Sequence, residues 1–313
     1  MRKILTSIAI AAAIVPAMAQ NDNSLLEKAH AEGKMIDAQF IIPTAPRSTI
    51  VVDTVYSDVL PENRAYTVLL PRNYDKHPEK KYPIVYLLHG IMDTNEGWYK
   101  NGHIKTVMDK LVESGEADEM IVVTPDAGGN IYNGVWNGYY DMPGWPYEKY
   151  FFEVFMPYIE NKYRVIGDRE HRAIGGLSMG GGGSTAYAQK HPELFSAVYA
   201  MSAQMDLDAG GGLPAMGQEK MTLFNQSVRD NAPTKFVENA DEATKEKLRS
   251  VSWWIDCGDD DVLFDVDIDF CRAMKKAGIP YQLRVRDGGH DWEYWNTALY
   301  TALPYFSRAF KYK

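Results

Sequence analysis

Residues 175–183 read Gly-Gly-Leu-Ser-Met-Gly-Gly-Gly-Gly, and this stretch decides the fold. Within it, the residues from Gly176 to Gly180 match G-x-S-x-G, a turn in which a strand ends, a helix begins and a strained serine, Ser178, occupies the tip. The outer glycines are needed because a side chain at either position would collide with the neighbouring strand or helix. The flanking residues predict a buried strand before the turn and a helix after it, over 172–175 and 184–190. The alternative is a glycine-rich turn without chemistry.

An acidic loop and a histidine follow the serine, in the chain order nucleophile, acid, histidine that α/β-hydrolases use. Trp253-Trp-Ile-Asp-Cys-Gly-Asp-Asp-Asp predicts a strand that ends in an acidic loop, and Tyr281-Gln-Leu-Arg-Val-Arg-Asp-Gly-Gly-His predicts a strand that ends at His290. Catalytic groups converge where the strands of open α/β sheets end. A serine hydroxyl needs an imidazole to take its proton and a carboxylate to orient the imidazole. The sequence therefore predicts Ser178 as nucleophile and His290 as general base.

The carboxylate has to be chosen among Asp256, Asp259, Asp260 and Asp261. Asp256 lies within the predicted strand, and three consecutive aspartates cannot all point at one imidazole. In a loop that leaves the strand after Gly258, the last aspartate is best able to turn back under the histidine. We therefore predict Asp261, and the other three remain alternatives.

The loop after the first long strand, His89-Gly-Ile-Met, is the second element of a predicted oxyanion hole. In these hydrolases one backbone N–H comes from the residue after the nucleophile and another from this loop. That assigns the backbone amides of Met179 and Ile91. His89 precedes the turn at a strand end, which favours a hydrogen-bonded structural histidine over a catalytic one.

The first 19 residues have the composition of a signal peptide. Met1-Arg-Lys is basic, residues 4–15 are mostly apolar, and Ala17-Met-Ala fits an A-x-A cleavage site. The apolar run is short for a membrane span. We expect a secreted or periplasmic protein, without membrane insertion once the signal peptide is cleaved; a retained amphipathic helix is the alternative. The net charge of −9 without a basic stripe argues against a nucleic-acid partner.

The remaining chain divides into a polar leader over 20–45 and one catalytic domain over 46–313. Strands alternate with helices from residue 81 onward, which predicts a mainly parallel sheet with helices on both faces. An antiparallel strand pair, over 47–56 and 64–71, precedes it. This is the α/β-hydrolase fold class. Residues 203–250 depart from the alternation, and they are either an excursion that shapes a pocket or a solvated connection.

Neither a metal nor a cofactor is expected. The sequence contains no H-E-x-x-H or C-x-x-C motif. Asp265-Val-Asp-Ile-Asp resembles the start of a calcium loop, but Phe270 and Lys276 replace the glycine and the glutamate that such a loop requires. Cys257 and Cys271 could pair in an oxidising compartment, although two free buried thiols are the preferred interpretation.

Five stretches together resemble the esterase D-like hydrolases, and most of all the feruloyl and acetyl-xylan esterases of carbohydrate esterase family 1. They are Leu87-Leu-His-Gly-Ile, Pro125-Asp-Ala-Gly-Gly, Phe155-Met-Pro-Tyr-Ile-Glu, Gly176-Leu-Ser-Met-Gly-Gly and Gly288-Gly-His-Asp-Trp-Glu-Tyr-Trp. The resemblance covers roughly residues 50–310. It implies an α/β-hydrolase fold and ester hydrolysis, and it supports Ser178, Asp261 and His290. Gly182 and Gly183 depart from the pattern, since relatives often carry a bulkier residue there.

The resulting hypothesis is a secreted serine carboxylic-ester hydrolase that removes feruloyl groups from plant cell-wall polysaccharide. The polysaccharide or a small ester is the expected partner. An acetyl-xylan or other short-acyl carbohydrate esterase is the alternative, and a non-catalytic carbohydrate-binding protein of the same fold is the alternative of another class. Aromatic side chains suit a phenolic acid or a sugar face, so Trp136, Trp145 and Trp292 are predicted substrate contacts. The competing interpretation is that such residues pack in the core or at its rim.

Overall fold

The computed structural model describes residues 47–60, 62–129, 134–207 and 219–311. The predicted signal peptide over 1–19 and the leader over 20–45 lie outside these residues. The described residues from Ser48 onward form one compact unit. No helix within the described ranges is long and apolar enough to cross a membrane.

A sheet of eight strands forms the centre of the fold, in the order β1-β2-β4-β3-β7-β8-β9-β10. β1 pairs with β2 and β2 with β4 in antiparallel fashion, and every other pairing is parallel. A separate two-stranded hairpin, β5 with β6, lies between β4 and β7 in the chain. The strands are β1 (Thr49–Val55), β2 (Arg64–Leu70), β3 (Ile84–Leu88), β4 (Ile121–Pro125), β5 (Asp141–Met142), β6 (Trp145–Pro146), β7 (Arg172–Leu177), β8 (Ala197–Met201), β9 (Ser252–Gly258) and β10 (Gln282–Arg286).

Helices cover both faces of this sheet. They are α1 (Gly97–Lys100), α2 (Ile104–Ser114), α3 (Tyr147–Tyr150), α4 (Met156–Lys162), α5 (Met179–Lys190), α6 (Glu219–Asp230), α7 (Pro233–Asn239), α8 (Glu242–Arg249), α9 (Phe264–Lys276) and α10 (Trp292–Lys311). A π-helical segment, Phe151–Phe155, joins α3 to α4, and short 3-10 helices occupy Tyr74–Lys76 and Arg169–His171.

The central strands are buried on both faces because each face packs against helices. Every residue of β3, β4, β7 and β8 is buried, which explains their nearly continuous apolar sequences. One hydrophobic cluster joins the sheet to α2 and α10, and the other joins it to α5, α9 and the aromatic helices over 147–162. The parallel strands therefore direct the loops that follow them to one edge of the sheet.

The predicted architecture is confirmed: a mainly parallel sheet, helices on both faces and an N-terminal antiparallel pair. Two features were not predicted from the sequence. They are the π-helical segment Phe151–Phe155 and the β5–β6 hairpin. The described part of 203–250 holds three helices, α6 to α8. Cys257 and Cys271 are both buried and free, as the preferred interpretation held.

Candidate active site

Ser178 occupies the tip of the turn between β7 and α5. Its backbone adopts φ 54° and ψ −120°, a conformation that residues with side chains rarely adopt. Such a conformation costs about 1–3 kcal/mol and persists only where the surroundings enforce it. The Ser178 N–H donates to the Met201 carbonyl (2.9 Å), and the amide of Gln204 donates to the Ser178 carbonyl (3.0 Å). The neighbouring strand β8 and the loop after it therefore hold the strained serine.

The two outer glycines of the motif lie where backbone atoms leave no room for a side chain. A Cβ on Gly176 would lie 2.5 Å from the Gly180 carbonyl oxygen, and a Cβ on Gly180 would lie 2.6 Å from the His89 carbonyl oxygen. Real Cβ atoms essentially never approach other atoms so closely. The helix can therefore begin directly against the strand, which exposes the Ser178 hydroxyl at the sheet edge.

The side chains of Ser178, His290 and Asp261 form a continuous hydrogen-bonded series. His290 Nε2 lies 2.9 Å from Ser178 Oγ. On the other side of the ring, Nδ1 lies 3.0 Å from each carboxylate oxygen of Asp261. The His290 ring also packs edge-on against Trp295, with 4.9 Å between the centroids. This arrangement can pass the hydroxyl proton to an imidazole whose orientation is fixed on both sides.

Among the four candidate aspartates, Asp261 is the one that reaches the imidazole. Its side chain is fully buried under His290. Asp259 and Asp260 are exposed. Asp256 is buried, but it accepts hydrogen bonds from the hydroxyls of Tyr199 and Tyr294, both at 2.5 Å.

The charge on Asp261 is stabilised by its neighbours. Burial raises the pKa of this carboxyl, but the hydrogen bond and positive charge of His290, together with the Leu263 amide, lower it by more. The net shift is below the ordinary value of 3.8. Asp261 is therefore ionised at neutral pH, and its negative charge can stabilise an imidazolium.

Two backbone amides near the serine, those of Met179 and Ile91, have no acceptor among the described residues. Met179 is the first residue of α5, so its N–H has no acceptor within the helix. The N–H of Ile91 donates to no acceptor among the described residues. Both residues line the same cavity as Ser178. An N–H pair at a helix start and in a nearby loop is the arrangement that stabilises a tetrahedral oxyanion.

A cavity of about 550 Å³ opens over the Ser178 hydroxyl. One wall comes from α10 and the loop before it, and another from α6. The side chains around the serine are largely apolar or aromatic, with a few amides: Ile91, Met92, Asn101, Gln204, Phe224, Asn225, Val262, Leu263, Trp292 and Trp295. Predominantly apolar walls with a few polar groups are typical of a small-molecule site.

Comparison with known proteins gives the class of chemistry. The Esterase family model matches residues 57–306. The chain belongs to the Esterase family. It is a carboxylic-ester hydrolase of the serine type.

Three relatives illustrate the range of this esterase's similarities. A solved structure described as a ferulic acid esterase is 57% identical, with a TM-score of 0.82, over 85% of this chain and 100% of that one. An acetyl esterase from Caldicellulosiruptor saccharolyticus is 25% identical over 81% of this chain and 96% of that protein. An endo-1,4-beta-xylanase/feruloyl esterase from Xylanibacter ruminicola is 28% identical over 45% of this chain, which amounts to 20% of that protein.

The three predicted substrate tryptophans have different surroundings. Trp292 lines the cavity and packs edge-on against Trp98 and Trp295. Trp136 does not line the cavity, which corrects its assignment as a substrate contact: it is 3% exposed and packs against Phe224, behind the wall.

Trp145 does not line the cavity, which corrects its assignment as a substrate contact. It is 6% exposed, stacks on Tyr147, and donates its indole N–H to the Gly138 carbonyl (2.8 Å). Its polar atom and its ring face are both occupied within the protein. Trp145 therefore packs as a core residue, as the competing interpretation held.

Sequence reasoning did not assign several residues that line the cavity to the site. Phe224 and Asn225 come from α6, inside the region that fitted no strand–helix alternation. Val262 and Leu263 directly follow Asp261. A signal was present for these two, because neighbours of a predicted catalytic residue along a loop share its location. Phe224 and Asn225 were not singled out as residues, but the alternative in which 203–250 shapes a pocket is the one that agrees with their place in the cavity wall.

A second buried carboxyl, Asp267 on α9, lies near the site but is not part of the hydrogen-bonded series. One of its oxygens accepts the Ala203 N–H (2.9 Å), and the other has no hydrogen-bond partner within the described residues. Burial is the main cause that raises its pKa well above the ordinary value of 3.8, and the charges of Asp261 and Asp256 add to it. Asp267 is therefore protonated in the folded protein well above pH 3.8.

We expect the stability of Asp267→Asn relative to the wild type to increase as the pH rises. The folded state of the wild type keeps the Asp267 proton while the unfolded state releases it above pH 3.8, so this residue lowers the free energy of unfolding as pH rises. Asparagine is neutral at every pH. Thermal melts measure the difference in Tm between the variant and the wild type. This difference, variant minus wild type, should therefore increase by a few degrees from pH 4 to pH 7. A difference that stays constant or decreases over this range contradicts the assignment.

Proposed function

We propose that this esterase removes feruloyl groups from plant cell-wall polysaccharide through an acyl-enzyme on Ser178. The hydrogen-bonded series Ser178–His290–Asp261 at the base of an apolar-walled cavity carries the proposal. The substrate class is supported by the 57% identity to a ferulic acid esterase over the whole of that chain. The apolar segment over residues 4–15 supports export to the compartment where such polysaccharides are found.

The first half of the reaction forms the acyl-enzyme. His290 Nε2 takes the Ser178 hydroxyl proton as the oxygen attacks the ester carbonyl. The amides of Ile91 and Met179 then donate to the oxygen that becomes negative, and Asp261 stabilises the imidazolium. When the tetrahedral intermediate collapses, the ester C–O bond breaks and His290 gives its proton to the leaving alcohol.

The second half returns the enzyme to its starting state. Water takes the place of the alcohol, and His290 removes one of its protons as the water oxygen attacks the acyl carbonyl. Collapse of this second intermediate breaks the bond to Ser178, and the serine oxygen recovers a proton from His290. The carboxylic acid then leaves the cavity.

The charges around the cavity favour an uncharged ester. The charged or titratable lining residues are Asp93, His290 and Asp291, and no lysine or arginine occurs among the described residues that line it. The carboxylates of Asp259, Asp260 and Asp287, which adjoin the catalytic loops in sequence, lie within 4.8 Å of one another. A carboxylate or phosphate on the substrate would find no lysine or arginine among the described residues of the cavity. A feruloyl ester of a neutral sugar avoids this repulsion.

The acyl preference can be tested with Trp292. We expect a higher kcat/KM for methyl ferulate than for methyl acetate, because an aromatic wall binds a planar acyl group by stacking and burial of area. Trp292→Ala should reduce the ratio of the two constants by about tenfold or more, which corresponds to ~1–3 kcal/mol of discrimination. Trp292→Phe keeps an aromatic face and should retain most of the ratio. The acetyl ester reports whether the triad itself is intact.

An acetyl esterase is the second candidate, and the acetyl esterase from Caldicellulosiruptor saccharolyticus, matched over 96% of its length, favours it. A preference of the wild type for methyl acetate over methyl ferulate would support this second function. A ratio that does not change in Trp292→Ala would remove the aromatic-wall hypothesis.

A further inference from the structure

We propose that Tyr139 and His89 are positioning residues that hold the Ile91 amide in the oxyanion hole. The inference rests on the proposed function, because it assumes that an ester carbonyl reacts at Ser178. Neither residue touches the substrate in this proposal. Each acts through the loop that follows β3, and both are fully or almost fully buried, at 1% and 0% exposed.

The Tyr139 hydroxyl bonds to both backbone groups of His89. It accepts the His89 N–H (2.8 Å) and donates to the His89 carbonyl (3.0 Å). His89 is the first residue after β3. The pairing of β3 with β7 ends one residue earlier, at Leu88. The Tyr139 hydroxyl therefore supplies hydrogen bonds to the backbone N–H and carbonyl of His89, directly after the point where pairing within the sheet ends. Ile91 lies two residues further along.

The His89 ring joins the loop after β3 to the turn after β4. The Ala127 N–H donates to His89 Nε2 (3.0 Å), so this nitrogen carries a lone pair. The ring proton is then on Nδ1, which lies 2.7 Å from the Gly90 carbonyl and donates to it. The bond to Gly90 fixes the peptide that directly precedes Ile91, and so the direction of the Ile91 N–H.

The turn after β4, which contains Gly128 and Gly129, packs closely against the backbone of Ile91. A Cβ on Gly129 would lie 2.7 Å from the Ile91 carbonyl oxygen, and a Cβ on Gly128 would lie 2.9 Å from the Trp145 ring. Gly128 has φ +68°, a conformation that favours glycine. Trp145, which does not reach the cavity, therefore supports the oxyanion loop from behind.

Gly183 makes room for Tyr139, which accounts for one of the two unusual glycines after the serine motif. A Cβ on Gly183 would lie 2.9 Å from the Tyr139 ring. The ring also packs edge-on against Tyr147 and Tyr187. Packing thus fixes Tyr139 in the one orientation that delivers its hydroxyl to His89.

Loss of these contacts should affect the transition state more than the bound ester. An oxyanion donor must lie about 2.7–3.1 Å from the position that the developing oxyanion takes. A displacement of about 1 Å can cost up to about 100-fold in rate. Because the ester in its ground state makes little use of this donor, the loss appears in kcat and leaves KM nearly unchanged.

Tyr139→Phe is the test, and Tyr140→Phe is its matched control. The Tyr140 hydroxyl is also buried, but it has no hydrogen-bond partner within the described residues. We expect Tyr139→Phe to lower kcat for methyl ferulate by about 10- to 100-fold with KM within about twofold, while Tyr140→Phe keeps wild-type kinetics. Gly183→Ala, which displaces the Tyr139 ring, should give the same pattern as Tyr139→Phe.

Inhibition by phenylboronic acid separates a lost oxyanion contact from general damage to the site, because general damage would weaken the binding of boronate and of product alike. The Ser178 oxygen adds to boron as its proton passes to His290, and a boronate oxygen then occupies the oxyanion hole. In Tyr139→Phe the Ki of phenylboronic acid should rise by the factor by which kcat falls, while the Ki of ferulate, the product, stays within about twofold.

Three outcomes would overturn the inference that Tyr139 and His89 position the Ile91 amide. An unchanged kcat and boronate Ki in Tyr139→Phe overturns the inference alone, as does an equal weakening of boronate and ferulate, which indicates general damage. A wild type that boronate does not inhibit contradicts the proposed function, and the inference with it. Gly183→Ala keeps the test valid if Tyr139→Phe does not fold.

Discussion

Replacement of Ser178 by alanine is expected to lower kcat by about 10⁵- to 10⁶-fold. The variant lacks the oxygen that forms the acyl-enzyme, so no acyl group can be held during turnover. The amides of Ile91 and Met179 and the cavity remain, and they should leave a small rate above that in water. Initial rates on methyl ferulate at saturating substrate measure this loss.

Ser184→Ala is the matched control for that measurement. Ser184 lies on α5, the helix that begins directly after Ser178, and it is buried. Its hydroxyl donates to the Gly181 carbonyl (3.0 Å) and is not bonded to His290. We expect this variant to keep kcat within a few fold of the wild type. Near wild-type turnover in Ser178→Ala would remove this serine from the mechanism.

Asp261→Asn should cause the second-largest loss, about 10⁴-fold in kcat. The carboxylate accepts only, so it holds the His290 proton on Nδ1 and leaves Nε2 free to take the serine proton. An asparagine amide can donate to Nδ1 and thereby favour the tautomer with its proton on Nε2. That imidazole cannot accept from Ser178, although the ring position is unchanged. The loss should therefore appear with little change in thermal stability.

The two neighbouring aspartates supply controls of the same chemistry. Asp259 accepts the Gly288 N–H at 3.3 Å, and Asp260 is exposed. Asp259→Asn and Asp260→Asn should each keep kcat within a few fold. A larger loss in either of them than in Asp261→Asn would show that another carboxylate orients the histidine.

The sequence was informative where a physical constraint leaves few choices. The glycines at 176 and 180 allow only a tight strand-to-helix turn, and the structure has β7 and α5 on either side of it. The order of serine, acidic loop and histidine, each after a strand, led to the three side chains that the structure joins by hydrogen bonds. The alternation of strands and helices led to the parallel sheet.

Other features depend on which face of an element a side chain occupies, and composition does not reveal that. Trp145 and Trp292 both looked like substrate contacts, but Trp145 packs on Tyr147 while Trp292 reaches the cavity. The contact between Tyr139 and His89 joins positions 50 residues apart, so no local sequence pattern predicts it. The sequence showed that Gly183 departs from the family pattern, but only the structure shows that a side chain there would collide with the Tyr139 ring.

Labelling with an alkyl fluorophosphonate tests the central claim most directly. The Ser178 oxygen attacks phosphorus, fluoride leaves and His290 takes the hydroxyl proton, so a stable adduct forms only on an activated serine. We predict one adduct per chain, located by peptide mass spectrometry on Ser178, with activity lost in proportion to labelling. Labelling should be absent in Ser178→Ala and much slower in Asp261→Asn. Complete inactivation with the adduct on another residue, or full activity in a chain labelled at Ser178, would contradict the mechanism.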